Sequence, residues 1–240
     1  MLDNLLNPKQ YDQNAQTMSS TFFANVYTYM FIALGLSGTI AYMVGSDLQT
    51  FAYYFVTAEG KISALFWVVA LLPIGVGLLI QMAYRRISMS VLIILFGVYS
   101  ILMGLSLSSV FIVYSIGSIA STFLVTAGAF GAMAILGYTT KTDLTKFGSL
   151  LYMAFIGIFF ASIAQIFFHN EMFDTIIAVV GVFVFTGLTA YEMQNLKYIA
   201  QDPELSGLDK SKLSLIGGLR LYILFINLFL SLLRLMGSRD

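Results

Sequence analysis

The chain has 240 residues, of which 59% are hydrophobic and 10% charged, with zero net charge and no cysteine. A water-soluble domain carries about 25% charge, so this composition excludes an ordinary soluble enzyme and leaves a one-domain integral membrane protein. It also excludes a basic nucleic-acid-binding surface, a disulfide framework, a thiol nucleophile and any site needing more than the single histidine, His169.

Residues 1–21 form a polar N-terminal tail with Asp3, Lys9 and Asp12. It lacks the early apolar run of a signal peptide, so no cleavable leader is expected. The transmembrane domain is expected over residues 22–237. A helical span takes about 20 apolar residues to cross ~30 Å of hydrocarbon. Seven stretches meet that need: 22–44, 62–83, 89–113, 119–138, 147–168, 174–195 and 213–236. The second has Pro73 near its middle, which should kink it. Arg85 and Arg86 close it. No charge occurs between Arg86 and Lys141, and the turn-like Tyr114–Ser118 should divide that run into two spans. The fourth span pairs Ala127 with Gly131 and Gly128 with Ala132, a face suited to close helix contact. Thr140 to Asp143 fits a capping box for the fifth span. Turn signals at Asp202-Pro203 and Ser206-Gly207 place a loop between Lys197 and Lys212.

A cytoplasmic N-terminus puts Lys9, Arg85, Arg86, Lys141, Lys146, Lys197, Lys210 and Lys212 inside, against Lys61, Arg234 and Arg239 outside. That satisfies the positive-inside rule and sends the C-terminus outside. Tyr27, Tyr29, Phe51, Tyr53, Tyr54 and Tyr198 suit an interfacial aromatic belt.

The last span holds a full charge well inside it, Arg220, with Asn227 and Arg234 following at heptad spacing on one side of the helix. Such a stripe should face protein or trapped water. Glu192 lies roughly 27 Å along the sixth helix from Asp174, and Arg220 roughly 10 Å into the seventh. The two helices are antiparallel neighbours, so Glu192 and Arg220 can pair. The alternative places Glu192 among the headgroups, with Arg220 reaching out to phosphates. His169, Glu171 and Asp174 share the turn before span six; a solvated loop is the simpler reading than a cation site. Asn25, Gln81 and Gln165 suit interhelical hydrogen bonds.

No catalytic set can be assembled. There is no lysine after Lys212 for a retinal Schiff base, no ligand set for zinc, no Ser-His-Asp grouping around His169 and no nucleotide-binding loop. Enzymatic activity, a resident metal and a cofactor are therefore not expected.

Residues 137–168 (GYTTKTDLTKFGSLLYMAFIGIFFASIAQIFF) and 181–197 (GVFVFTGLTAYEMQNLK) resemble the Bax inhibitor-1 family, the transmembrane Bax-inhibitor-motif proteins. Arg85-Arg86-Ile87, the run from Met103 to Phe111 and the run from Leu221 to Leu230 match its pattern too, so the resemblance covers the domain. It implies an all-α fold of seven transmembrane helices, six wrapped around a central C-terminal helix, in a bacterial inner membrane. It also implies a pH-sensitive calcium leak, with Ca2+ as a transported or weakly bound ion. The other role it suggests is a non-conducting regulator that binds a membrane protease or stress and cell-death machinery. The family's leak is controlled by two paired intramembrane aspartates. The first falls on Glu192, after Tyr191; the second falls on Leu224, which cannot ionise. Two carboxylates sharing a site hold a proton near neutrality, whereas a carboxylate beside an arginine stays ionised. The expectation is an ion path or gate at Glu192, Arg220 and Asn227 with weakened pH gating. Both the leak and the regulator remain open at the level of sequence.

Overall fold

A computed structural model of the chain describes residues 8–168 and 170–238. The helices are α1 (Pro8–Gly45), α2 (Leu48–Phe55), α3 (Ala64–Ala83), α4 (Met89–Val113), α5 (Ile116–Thr139), α6 (Thr145–Phe168), α7 (Glu171–Gln201) and α8 (Gly207–Met236). All but α2 are long and apolar enough to cross a membrane. The protein is a multi-pass integral membrane protein, and the isolated bridge between Val56 and Ile62 is the one β contact among the described residues.

Short polar residues start the helices. The hydroxyls of Ser63, Ser88, Ser115 and Ser206 accept from Phe66, Val91, Ser118 and Asp209 N–H at the heads of α3, α4, α5 and α8. Asp47 and Asn170 do the same for α2 and α7. Each cap satisfies a backbone donor that the helix leaves unpaired.

Several boundaries differ from the sequence reading for this reason. The break between spans three and four is only Tyr114 and Ser115, because the Ser115 cap lets α5 start at Ile116. The loop before the last span shrinks to residues 202–206, since α7 carries Lys197 and Tyr198 onward to Gln201 and Ser206 starts α8 early. The polar tail is helical from Pro8 and continuous with the first span. The short helix α2 interrupts the loop between α1 and α3. Phe51 and Phe55 are buried there against Phe66 and Val69. The chain stays helical through Pro73.

The capping box is not formed. The Thr140 hydroxyl accepts from Thr142 N–H, and α6 is started by other groups. Asp143 accepts from the Thr145 N–H and hydroxyl, and Gln194 of α7 accepts from Leu144 N–H at 2.8 Å.

The exterior carries large apolar side chains on nearly every span, including Leu124, Phe183, Met153 and Phe167. Water would not tolerate such a surface, but hydrocarbon does, because each helix satisfies its own backbone. The buried Ser100, Thr126 and Thr189 return their hydroxyls to the carbonyl four residues earlier, so they cost little in the core.

The last helix is the core, but four of the other spans surround it and not the six that the resemblance implies, because α3 and α6 pack on the outside of α4 and α7. Leu215, Leu219, Leu221, Tyr222 and Leu228 of α8 are fully buried. It packs extensively on α7 and α1, less on α5 and only slightly on α4, while α3 packs mainly on α4 and α6 on α7. Close approach depends on small residues. A methyl added at Gly104 would lie 2.7 Å from the Ser37 carbonyl oxygen, and one at Gly137 would collide with the Ala190 backbone. The small-residue face read from sequence on α5 is not the contact face: Gly128 meets nothing, and α5 instead turns Thr122, Thr126, Phe130, Ala134 and Gly137 inward.

Alternation of the helices gathers Arg85, Arg86, Lys141, Lys146, Lys197, Lys210 and Lys212 at one end, the basic end. Three of these lysines are engaged there. Lys197 donates to Tyr138 O at 2.9 Å and lies over its ring, Lys210 donates to Ala200 O and Lys212 to Ile87 O. Lys197 and Lys210 thus meet the terminal carbonyls of α5 and α7, where positive charge is favoured. At the opposite end, Ser238 bonds Ser115 and Ser118, pinning the end of α8 to the head of α5.

Candidate functional site

Glu192 and Arg220 meet. Arg220 Nη1 donates to Glu192 Oε1 at 3.1 Å across the α7–α8 seam. The carboxylate is 1% exposed and the arginine side chain 34%. Glu192 Oε2 is buried and short of a full hydrogen bond. The helices hold this arrangement because Leu188, Met193 and Leu196 of α7 and Leu219 and Leu221 of α8 bury the seam around it.

Two tyrosines flank the pair. Tyr152 of α6 interacts electrostatically with both charges, its hydroxyl is within hydrogen-bonding range of the Glu192 carboxylate, and its ring stands edge-on to Tyr191 at 6.0 Å. Tyr84, at the C-terminal end of α3, lies within reach of Arg220. Its oxygen accepts from Arg85 Nε at 3.0 Å. Neither tyrosine is singled out by sequence, since tyrosines near span ends read equally as interfacial belt residues. Gln194, two positions after Glu192, was missed as well. It is buried and clamps the link to α6 by donating to Thr142 O and accepting from Leu144 N–H.

The other residues of the stripe do not join the pair. Asn227 is half-buried and its amide donates to Ile223 O of its own helix at 2.8 Å. Arg234 is at the opposite end, 3.4 Å from Asp174. Asp174 is therefore engaged across the seam, not part of an open acidic turn; Glu171 lies exposed in the first turn of α7, and His169 falls outside the described residues. Leu224 is buried, 7% exposed, at the edge of the stripe. No group of three or more His, Cys, Asp or Glu side chains able to hold a metal occurs among the described residues.

Three further sequence assignments change. Asn25 is exposed on α1 instead of bonding another helix. Gln165 bonds Asn170 O across the short α6–α7 turn, because the turn brings that carbonyl closer than any neighbouring helix. Tyr27, Tyr29 and Phe51 belong to the interior: Tyr27 donates to Met193 Sδ, Tyr29 packs on Phe96 and Phe51 lies in the α2–α3 cluster. Tyr53, Tyr54 and Tyr198 do face outward.

The chain matches a protein-family model described as "Inhibitor of apoptosis-promoting Bax1" over residues 19–240. It is 41% identical over 222 residues to the inner membrane protein YbhL of Escherichia coli (strain K12), covering 91% of this chain and 92% of that protein. An uncharacterized protein of Borreliella burgdorferi is 39% identical, covering 92% of this chain and 94% of its own. The uncharacterized protein RP147 of Rickettsia prowazekii is 36% identical, covering 91% and 89%.

Proposed function

The chain belongs to the Bax inhibitor-1 family, and from that premise we propose that it is a passive cation leak, with calcium as the ion, in a bacterial inner membrane. Its closed state is held by the Glu192–Arg220 pair. The observation that carries this reading is the carboxylate itself: buried between helices, with Oε1 on Arg220, the Tyr152 hydroxyl close by and Oε2 short of a full hydrogen bond. An unsatisfied oxygen at that depth is costly unless a cation or water serves it. A cation reaching Glu192 displaces Arg220, so the arginine acts as the latch.

The gate lacks a second acid. Glu192 faces an arginine, and the position that would supply a second acid is the buried Leu224. Flux should change little around neutral pH. Calcium flux into liposomes tests this with wild type, Glu192→Gln and Leu224→Asp. The expected result is a small flux in wild type, none in Glu192→Gln, and a larger, pH-dependent flux in Leu224→Asp.

A second reading is favoured by Leu224 alone: a non-conducting regulator that binds other membrane proteins, such as a membrane protease or stress machinery. No flux in wild type together with flux gained in Leu224→Asp decides for the regulator. A flux that rises steeply near neutral pH and requires Glu192 would falsify the weak-gating account.

A further inference from the structure

From Ser214 to Leu233, α8 is buried on almost all sides, but Arg220, Ile223, Asn227 and Leu230 form one half-covered stripe at helical spacing. The helices packed most extensively on α8 are α1, α4, α5 and α7, while α3 and α6 stand outside them. The stripe therefore lies in the opening that these four helices leave on α8. At its basic end Tyr84, just past α3, and Tyr152 of α6 are both near enough to Arg220 to interact with it electrostatically.

We propose that this opening binds a phosphate group, entering from the side of the bundle between α3 and α6. Arg220 and Tyr84 offer donors there, while the Tyr152 hydroxyl is turned to the Glu192 carboxylate. The guanidinium commits Nη1 to Glu192, and its remaining N–H groups have no hydrogen-bond partner among the described residues. The Tyr84 oxygen accepts from Arg85, which leaves its own proton to donate. Arg85 and Arg86 are exposed beside it. The acids nearby are Glu192, which lies behind the arginine and is closed to an incoming ligand, and Asp209, which interacts with Arg85. A planar guanidinium offering paired N–H groups suits phosphate oxygens better than a single point charge would. The depth also fits. Arg220 is rooted roughly 10 Å inside the apolar span, and a long side chain directed toward the end of α3 reaches the headgroup layer. The phosphate is supplied either by an anionic lipid headgroup or by a soluble phosphate.

Occupancy draws the guanidinium away from Glu192. That consequence, an anion loosening the latch, rests on the leak reading, whereas the binding itself does not.

The test uses the full chain in nanodiscs of phosphatidylcholine with and without phosphatidylglycerol, with bound lipid counted by native mass spectrometry. Removing both charges together, as Glu192→Gln with Arg220→Gln, avoids stranding either one. Wild type should retain phosphatidylglycerol, and the double variant should lose at least about tenfold in affinity. Tyr84→Phe leaves Glu192, Arg220 and Tyr152 in place and should lose severalfold, which covers the case in which the charge variant does not fold. Competition by inorganic phosphate identifies a soluble anion as the source, and its failure to compete identifies the headgroup. Retention that is unchanged in the tyrosine variant, or that falls with salt in the same way in the folded charge variant as in wild type, reports the surface lysines alone and overturns the proposal. No flux is measured, so a negative result here leaves the leak reading standing, and an absent leak leaves this binding intact.

Discussion

At the scale of single residues, the Glu192–Arg220 pair is the feature with the largest expected energy. Arg220→Ala strands a carboxylate that is 1% exposed. Removing one partner of a buried pair costs about 3–5 kcal/mol, and the partial exposure of the arginine lowers that to roughly 2–3 kcal/mol. Glu192→Ala should cost less, because the guanidinium is about a third exposed and is not stranded as the carboxylate would be. A double-mutant cycle read by thermal unfolding in detergent should give a coupling of about 1–3 kcal/mol; strict additivity would mean that the contact does not stabilise the fold. The pair was legible in sequence because a charge inside an apolar span is rare enough to demand a partner. Tyr84, Tyr152 and Gln194 were not, because a tyrosine or glutamine near a span end satisfies lipid, water or protein equally well. A smaller effect is found outside the membrane. The Thr145 hydroxyl, then its N–H, hold the Asp143 carboxyl below the usual carboxylate range. A depressed acid stabilises the fold above its unfolded pKa, and that contribution is lost as pH falls through the folded value. Thr145→Val should move the Asp143 titration upward, as read by NMR.

At the scale of elements, contact faces divide the glycines into two kinds. Gly137→Ala drives a methyl into the α7 backbone at Ala190, and the overpacking should cost about 1–3 kcal/mol. Gly128→Ala meets open space, and the gain in helix propensity makes it neutral or stabilising by up to about 1 kcal/mol. Melting temperatures of the two variants in one detergent separate these outcomes, and equal shifts would contradict the assigned face of α5. Sequence identified seven spans, since length and hydropathy alone decide their number. It did not identify which face of α5 packs, because both the lipid and the interior accept small apolar residues and the helix shows no strong amphipathic signal. The boundaries were more legible than first read: a serine stands immediately before α3, α4, α5 and α8 and caps each one. The short α2 was missed because its two inward aromatics, Phe51 and Phe55, sit among the tyrosines of an apparent belt.

At the scale of the molecule, the distribution of basic residues makes a prediction about sidedness. The chain contains no cysteine, so a single introduced one reports without background. In spheroplasts, Ser206→Cys should be protected from a membrane-impermeant maleimide and Ser238→Cys should be labelled; the reverse pattern would invert the orientation. The centrality of α8 was legible only through resemblance. Composition shows that it carries a polar stripe, but nothing local shows that α1, the most distant helix in sequence, is one of its main neighbours.

That connectivity has a consequence for biogenesis. The helix that fills the middle of the bundle is the last of the seven to leave the ribosome. Until it inserts, α1, α3 and α4 can pack together and so can α5, α6 and α7, but little joins the two groups beyond a slight contact of α1 with α7, and Glu192 waits in the bilayer without its arginine. The two groups must therefore be kept near each other, by lipid or by insertion machinery, for as long as α8 takes to be made. A premature stop before Gly207 should yield a protein that reaches the membrane and is then degraded, whereas loss of the residues after Met236 should be tolerated far better.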